Sequence, residues 1–163
     1  MPSRVQLNKS PGNFKFGAYA VVFFQPQGRA TKVFKRRFDC KETHVRNVFQ
    51  SEVHAYELAC KVPELSSIIP EYFRIVNLAY ILDPQGRSII GEFLPDCAYQ
   101  MSFAQGTFIK SGMLSSYQNL SNLFRRHGIN HLIDASVVLD DCGKVRSVIG
   151  FAVKEHELVY DEP

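Results

Sequence analysis

The chain has 163 residues, of which 45% are hydrophobic and 21% are charged, and its formal net charge is +3 at pH 7. This length predicts one domain over residues 1–163 with a core of its own, and the apolar content excludes wholesale disorder. No apolar run approaches the roughly 20 residues of a membrane-spanning helix, and the first residues lack the apolar segment of a secretory signal, so we expect a cytoplasmic protein with no membrane partner.

Three turn signals, each between β-rich runs, predict three hairpins. In the first two, a proline is followed two residues later by a glycine, which favours a tight reversal; in the third, Gly143 supplies a permissive backbone. The turns are at residues 25–29, 83–87 and 140–144. The strands that they are expected to join are, in order, 14–24 with 29–38, 72–82 with 88–93, and 136–139 with 145–153.

Two helices are predicted from apolar residues that recur at helical spacing. Asp39 with Glu42 three residues later favours a helix start, and the apolar stripe continues up to Pro63. The second helix is expected over residues 111–127, with Gly128 at its C-terminal cap. The order hairpin, helix, hairpin, helix, hairpin predicts an α+β fold, in which an antiparallel sheet packs against the first helix and is followed by a second helix and a C-terminal hairpin.

One carboxylate lies on the apolar stripe of the first predicted helix. This is Glu52, and burial of a carboxylate is costly unless a cation pairs with it. Lys32 lies on the preceding strand, where alternation places it on the same face as Ala30 and Phe34. If that face meets the helix, Lys32 and Glu52 form an ion pair. The alternative is that Glu52 lies at the edge of the stripe and Lys32 extends into solvent.

This order of a lysine strand, a helix with an inward glutamate and a hairpin resembles the small lobe of the protein-kinase-like fold. Residues 30–35 are similar to the lysine strand of kinases, and residues 49–57 are similar to the helix that carries the partner glutamate. Residues 89–96 resemble the hinge strand, which implies that Glu92 lies where kinases offer backbone groups to adenine. The resemblance implies a small-lobe-like part at about residues 10–95.

The rest of the chain, at about residues 96–163, resembles a residual large lobe. Three segments carry this resemblance: the helix before the catalytic loop, the hairpin after that loop, and the strand that ends in the metal-binding Asp-Phe-Gly of kinases. They are residues 123–131, 136–145 and 146–152. Only 11 residues follow Ala152, so the activation segment and the substrate-binding helices of kinases are expected to be missing.

The catalytic groups of kinases are also missing from the matching positions. Gly150 stands where the magnesium-binding Asp belongs, and Ser136 stands for the metal-binding Asn. The position of the catalytic Asp depends on how the loop is aligned. It falls on His131 when residues are counted back from the hairpin, and on Ile133 when they are counted forward from Gly128. Three nearby carboxylates either substitute for these groups or simply form a loop and a turn: Asp134, Asp140 and Asp141.

These features favour a non-catalytic, pseudokinase-like binding module, a regulator or inhibitor that acts through another protein. In this interpretation no residue is catalytic, no cofactor is needed, and a remnant of the nucleotide site consists of Lys32, Glu52, Glu92 and Gly150. No metal site is expected, because the four cysteines form no CxxC pair and the five histidines lack a metal-binding spacing. The alternative is a minimal phosphotransferase that uses ATP and magnesium with substituted carboxylates.

A basic segment supports a second alternative, a nucleic-acid-binding protein. Residues 29–46 contain seven basic and two acidic residues, with Phe34 and Phe38 between them. Such a segment can contact phosphates, although it is also typical of a solvated strand end and helix start. The candidate contact residues are Arg29, Lys35, Arg36, Arg37 and Lys41.

Overall fold

The computed structural model describes residues 3–6, 14–102, 106–133 and 135–154. The chain falls into two units. The first holds the described residues up to Phe49 and those from Tyr72 to Ser102, and the second holds Gln50–Glu71 and the described residues after 102. Within these described ranges, no helix is both long and apolar enough to cross a membrane.

Antiparallel pairing of short strands builds the first unit. Its strands are β1 (Ser3–Gln6), β2 (Phe14–Phe16), β3 (Ala20–Gln25), β4 (Arg29–Lys35), β5 (Phe73–Val76), β6 (Leu78–Leu82) and β7 (Phe93–Ser102). Five of them form an antiparallel sheet with the order β2–β3–β4–β7–β5. The other two, β1 and β6, pair in parallel, which differs from the wholly antiparallel pairing that the sequence predicts.

Both faces of the five-stranded sheet are covered. Helix α1 (Glu42–Ala59) follows β4 and passes from the first unit into the second after Phe49. The Phe34 ring lies edge-on to the Phe49 ring with centroids 5.4 Å apart, so the face predicted to meet the helix does so. On the opposite face, Val33 and its buried neighbours pack with Leu78 and Ile81. The sheet therefore lies between two apolar layers.

The second unit contains two further α-helices and a three-stranded antiparallel sheet. Its elements are α2 (Pro63–Ser66), β8 (Thr107–Lys110), α3 (Tyr117–Arg125), β9 (Ser136–Leu139) and β10 (Val145–Ile149). The strand order is β10–β9–β8. The buried core of this unit includes Phe124, whose ring centroid lies 5.1 Å from that of Phe151. The predicted α+β class is confirmed.

The predicted first hairpin differs from the structure in its first strand and in the end of its second, because β4 ends at Lys35 and not at residue 38. Residues 14–24 were expected to extend without a break, but they form two strands, β2 and β3, which pair with each other. The amide of Gly17 donates to the carbonyl of Ala20 over 2.8 Å, which closes the reversal between them. The predicted turn after β3 is confirmed, and Gln27 and Gly28 both adopt positive φ there.

The prediction that residues 88–93 pair as a strand with residues 72–82 is wrong. The turn at 83–87 does form, because the Asp83 carboxylate accepts the amides of Gln85 and Arg87, each over 2.9 Å. Beyond an isolated bridge at Ser88, the chain enters a 3-10 helix at Ile90–Glu92. Ile89 and Ile90 pack on the buried cluster of the first unit instead of continuing the ladder, and β7 then pairs with β4 and β5.

The predicted start of each helix also needs correction. Asp39 does not cap α1, because its carboxylate binds the guanidinium of Arg37; the carbonyl of Lys41 instead accepts the amide of His44 over 3.1 Å. The second predicted helix begins at Tyr117 rather than at Ser111. Residues Ser111–Met113 form a separate 3-10 turn, since the Ser111 amide donates to the carbonyl of Ala135 over 2.9 Å.

The predicted end of the second helix is confirmed. Gly128 has a φ of +84°, and the amide of Ile129 donates to the carbonyl of Phe124 over 3.1 Å. The Gly128 amide donates to the carbonyl of Arg125, also over 3.1 Å. This pair of bonds around a left-handed glycine is a Schellman motif, which satisfies carbonyls that the helix end leaves without a partner.

Candidate functional site

Three positions that the resemblance predicts to stand for catalytic groups of kinases lie in the second unit. Gly150 directly follows β10, and its φ is +81°. Ser136 is the first residue of β9 and pairs with Ile149 of β10. His131 forms a two-residue bridge with Ala152, since each amide donates to the other's carbonyl over 3.1 and 2.9 Å. Backbone pairing therefore joins the loop at His131 to the segment after Gly150.

The carboxylate of Asp140 is engaged in a turn. Its Oδ1 accepts the amides of Cys142 and Lys144, each over 2.9 Å, and its own amide donates to the carbonyl of Lys144 over 2.8 Å. Gly143 takes a φ of +78°, so the predicted third hairpin and its turn are confirmed. Asp141 is exposed in the same turn, while Asp134 lies outside the described residues.

No metal-binding cluster occurs in the described parts of the chain. Within residues 3–6, 14–102, 106–133 and 135–154, no three His, Cys, Asp or Glu side chains are grouped so as to hold a metal ion. A magnesium-dependent reaction in kinases needs at least one carboxylate and one amide on the metal. Here Gly150 has no side chain, and one oxygen of Asp140 already accepts two amides.

Substitution of Asp140 separates a turn role from a catalytic role. Asp140→Ala removes the acceptor of two amides and should lower the free energy of unfolding by about 1–2 kcal/mol. Asp140→Asn retains a carbonyl oxygen and should lose less than about 0.5 kcal/mol, as should Asp141→Ala at an exposed position. Urea unfolding followed by circular dichroism measures all three variants. Equal losses for Asp140→Ala and Asp140→Asn would contradict the turn role.

Lys32 lies in β4 of the first unit, between two aromatic rings. Its cross-strand partner in β7 is Tyr99, and its Nζ lies 5.4 Å from the ring centroid of Phe34 and 5.9 Å from that of Tyr99. An ammonium group at these distances is attracted by the negative faces of the rings. The lysine is half-buried, so its ammonium group lies close to aromatic side chains on this face of the sheet.

Glu52 lies on α1 and is only 9% exposed. The apolar stripe of the sequence therefore predicts its burial correctly. Glu52 belongs to the second unit and Lys32 to the first, and the ion pair between them stays a prediction.

Glu92 ends the 3-10 helix before β7, and its side chain is exposed. Its carbonyl accepts the amide of Arg36 over 3.0 Å, so this backbone acceptor already has a partner within the first unit. The border of about residue 95 that the resemblance implies falls inside β7. The chain passes from the first unit to the second after Ser102, at the end of that strand.

The five basic residues that were predicted to form a contact patch do not all lie in one region of the surface. Arg29 begins β4 and Lys35 ends it, a separation of roughly 20 Å along a strand. The guanidinium of Arg29 lies 3.8 Å from the ring centroid of Tyr72. The other four, from Lys35 to Lys41, lie at the end of β4 and in the loop that leads to α1. Arg29 is therefore separate from the rest.

Carboxylates neutralise part of the charge of this loop. Nε and Nη2 of Arg37 donate to Oδ1 and Oδ2 of Asp39 over 2.8 and 2.6 Å, and this pairing holds the pKa of Asp39 below its usual value. Nη1 of Arg36 donates to the carboxylate of Glu42 over 2.6 Å. Glu42 also accepts Nε of Arg46 over 3.2 Å. Phosphates would meet a surface of mixed charge here.

One exposed residue of this loop was not singled out by its sequence pattern. Phe34 and Phe38 are both aromatic residues of the basic segment, but Phe34 is buried in the sheet and Phe38 is completely exposed. The spacing of the two residues does not distinguish them. One sequence feature does distinguish them. Arg36 and Arg37 are two successive charged residues, which interrupts the alternation of a strand and places Phe38 beyond its end.

Comparison of the chain with protein-family models, with curated proteins and with solved structures finds no match. The function is therefore inferred from the geometry and chemistry of the two units.

Proposed function

We propose that the chain is a non-catalytic, kinase-like binding module that regulates or inhibits another protein by binding to it. Kinases carry their lysine on the third strand and its partner glutamate on the helix that follows. In chain order, β4 is the third of the five strands in the antiparallel sheet, and it carries Lys32. The helix after it carries the buried Glu52. This arrangement supports the kinase-like part of the proposal.

The non-catalytic part of the proposal rests on the residue and the backbone conformation at one position. The residue directly after β10 is Gly150, with a φ of +81°. A left-handed backbone disfavours a residue with a side chain, aspartate less than most, and glycine offers no oxygen to magnesium. Phosphoryl transfer depends on metal ions that neutralise the developing charge. Gly150 supplies no magnesium ligand, and the carboxylate of Asp140 already accepts two amides of its turn. These two features support a protein that binds a partner and does not transfer phosphate.

Exposed apolar side chains support a role in protein binding. In the described residues, five large apolar side chains are exposed by half or more: Phe38, Ile75, Tyr80, Met113 and Ile133. Two of them are close together, because the amide of Gly112, beside Met113, donates to the carbonyl of Ile133 over 3.3 Å. Apolar groups of this kind contribute to protein interfaces when a partner covers them.

A phosphate-transfer assay tests the proposal. The purified chain is incubated with labelled ATP and magnesium, alone and with general protein and small-molecule acceptors. We expect no transfer or hydrolysis above that of a Lys32→Ala control, because the metal-binding carboxylate is replaced by Gly150. Binding of ATP is measured in parallel by calorimetry with and without magnesium. Transfer that is lost in Lys32→Ala would overturn the proposal in favour of the minimal phosphotransferase.

A further inference from the structure

The loop between β4 and α1 presents one aromatic ring entirely to solvent. In this segment, here called the Phe38 loop (residues 36–41), the Phe38 side chain has a relative exposure of 106%. Neighbouring Cys40 is only 4% exposed, so the loop has an inner and an outer side. An exposed phenylalanine forgoes the stabilisation of burial, and nothing in the local turn chemistry requires an aromatic residue at this position.

The Phe38 loop is fixed by bonds on both sides of Phe38. The amide of Arg36 donates to the carbonyl of Glu92 over 3.0 Å. Arg37 binds both carboxylate oxygens of Asp39 and donates from Nη1 to the carbonyl of Ala18 over 2.6 Å. Its guanidinium carbon lies 5.3 Å from the ring centroid of Tyr19. A side chain presented from a fixed backbone loses little further freedom on binding, which favours affinity.

The Phe38 loop combines this exposed ring with two exposed or half-exposed basic side chains. The Arg36 side chain is about half exposed, and Lys41 is exposed. Asp39 of this loop binds Arg37, and Glu42 at the start of α1 binds Arg36. Aromatic residues, phenylalanine included, and arginine are enriched at protein interfaces. The complementary partner carries negative charge around an apolar side chain.

We propose that Phe38, Arg36 and Lys41 bind a linear acidic segment of a partner protein that carries at least one large apolar side chain. This inference rests on the proposed function, because it names the partner of the binding module. A protein segment fits better than a nucleic acid. A nucleic-acid strand carries a phosphate at every nucleotide and would bring phosphates beside Asp39 and Glu42, whereas a peptide contributes few charges and the apolar contact that Phe38 needs.

Peptide selection on the full chain tests the inference. A displayed library of random 12-residue peptides is selected on the immobilised protein, and enriched peptides are synthesised and titrated by fluorescence polarisation. We expect the enriched peptides to combine Asp or Glu with Leu, Phe or Trp. Phe38→Ala should raise their Kd at least about tenfold. Arg36→Glu with Lys41→Glu should raise it similarly, and added salt should weaken binding to the wild type.

A matched control separates the Phe38 loop from general apolar contacts. Ile75 is a large apolar residue of the same unit and is 51% exposed on β5, so Ile75→Ala should change the Kd less than about twofold. Both substituted side chains are solvent-exposed, so we expect each variant to fold, and circular dichroism checks this. The comparison therefore reports binding and not stability.

Several results would overturn the inference. These are a selection without acidic peptides, a Kd that Phe38→Ala leaves unchanged, and a 12-nucleotide oligothymidylate that binds more tightly than any peptide and depends on Phe38. Concentration-dependent dimerisation that Phe38→Ala abolishes would also overturn it, by assigning the loop to a second copy of the chain. Peptide binding that is unchanged in Phe38→Ala would refute this site but not the proposed binding module. Phosphate transfer that depends on Lys32 would refute the proposed function, and peptide binding at Phe38 could still be measured.

Discussion

Replacement of Phe124 by alanine is expected to lower the free energy of unfolding by about 3–5 kcal/mol. Phe124 lies on α3 with a relative exposure of 0%, and its ring is inclined at 59° to that of Phe151. The substitution removes the transfer free energy of the ring, leaves a cavity in the core of the second unit and breaks this aromatic contact. Since domains of this size are stable by about 5–15 kcal/mol, the second unit would become marginally stable.

The matched control for this prediction is Phe38→Ala, the same substitution at a completely exposed ring. It should change the free energy of unfolding by less than about 0.5 kcal/mol. Urea unfolding is followed by far-ultraviolet circular dichroism, since the chain has no tryptophan. If the two substitutions cost the same, the assignment of Phe124 to the core and of Phe38 to the surface is wrong.

Turn chemistry was the most reliable guide to this fold. The segments at 83–87 and 140–144 form the predicted turns because each begins with an aspartate whose side chain accepts two amides of the same turn. These bonds span at most four residues and depend on residues that are adjacent in the sequence. Local pattern alone is therefore sufficient to predict them.

Strand partners were harder to predict, because pairing depends on distant residues. The prediction paired residues 88–93 with the strand just before the turn, whereas β7 extends to Ser102 and pairs with β4 and β5. Ile89 and Ile90 are β-branched and favour a strand by propensity. Their partial burial against the opposite face of the sheet outweighs that preference, and no signal within the segment indicates this competition.

The candidate site shows the same division between local and distant determinants. Burial of Glu52 follows from its place on an apolar stripe with helical period. The behaviour of Asp39 does not follow from the spacing of a capping box, because Arg37 two residues earlier competes for the carboxylate and binds both of its oxygens. A bidentate charge-assisted pair is stronger than one neutral capping bond, and this competition displaces the helix start to Glu42.

Replacement of Gly106 by alanine is expected to lower the free energy of unfolding by about 2–5 kcal/mol, the combined effect of overpacking and of a strained backbone. Gly106 precedes β8 with a φ of +153°, and a Cβ atom there would lie 2.2 Å from the carbonyl oxygen of Leu139 and 2.9 Å from Cγ1 of Val138. The carbonyl of Leu139 belongs to the backbone of β9, the central strand of the sheet, so it cannot move away without disturbing the pairing of that strand.

Gly91→Ala is the matched control for the effect of a methyl group on a glycine. A Cβ atom at this position would meet nothing within 4 Å, and residue 91 is not among the glycines with positive φ. The control should therefore change the free energy of unfolding by less than about 1 kcal/mol. Any such change should be stabilising, because alanine restricts the unfolded chain more than glycine does. Hydrogen exchange of the β8 and β9 amides gives a local measure, and we expect faster exchange in Gly106→Ala alone. Equal protection of these amides in both variants would contradict the close approach of Gly106 to Leu139. It would also mean that the pairing of β8 with β9 does not require a glycine at this position.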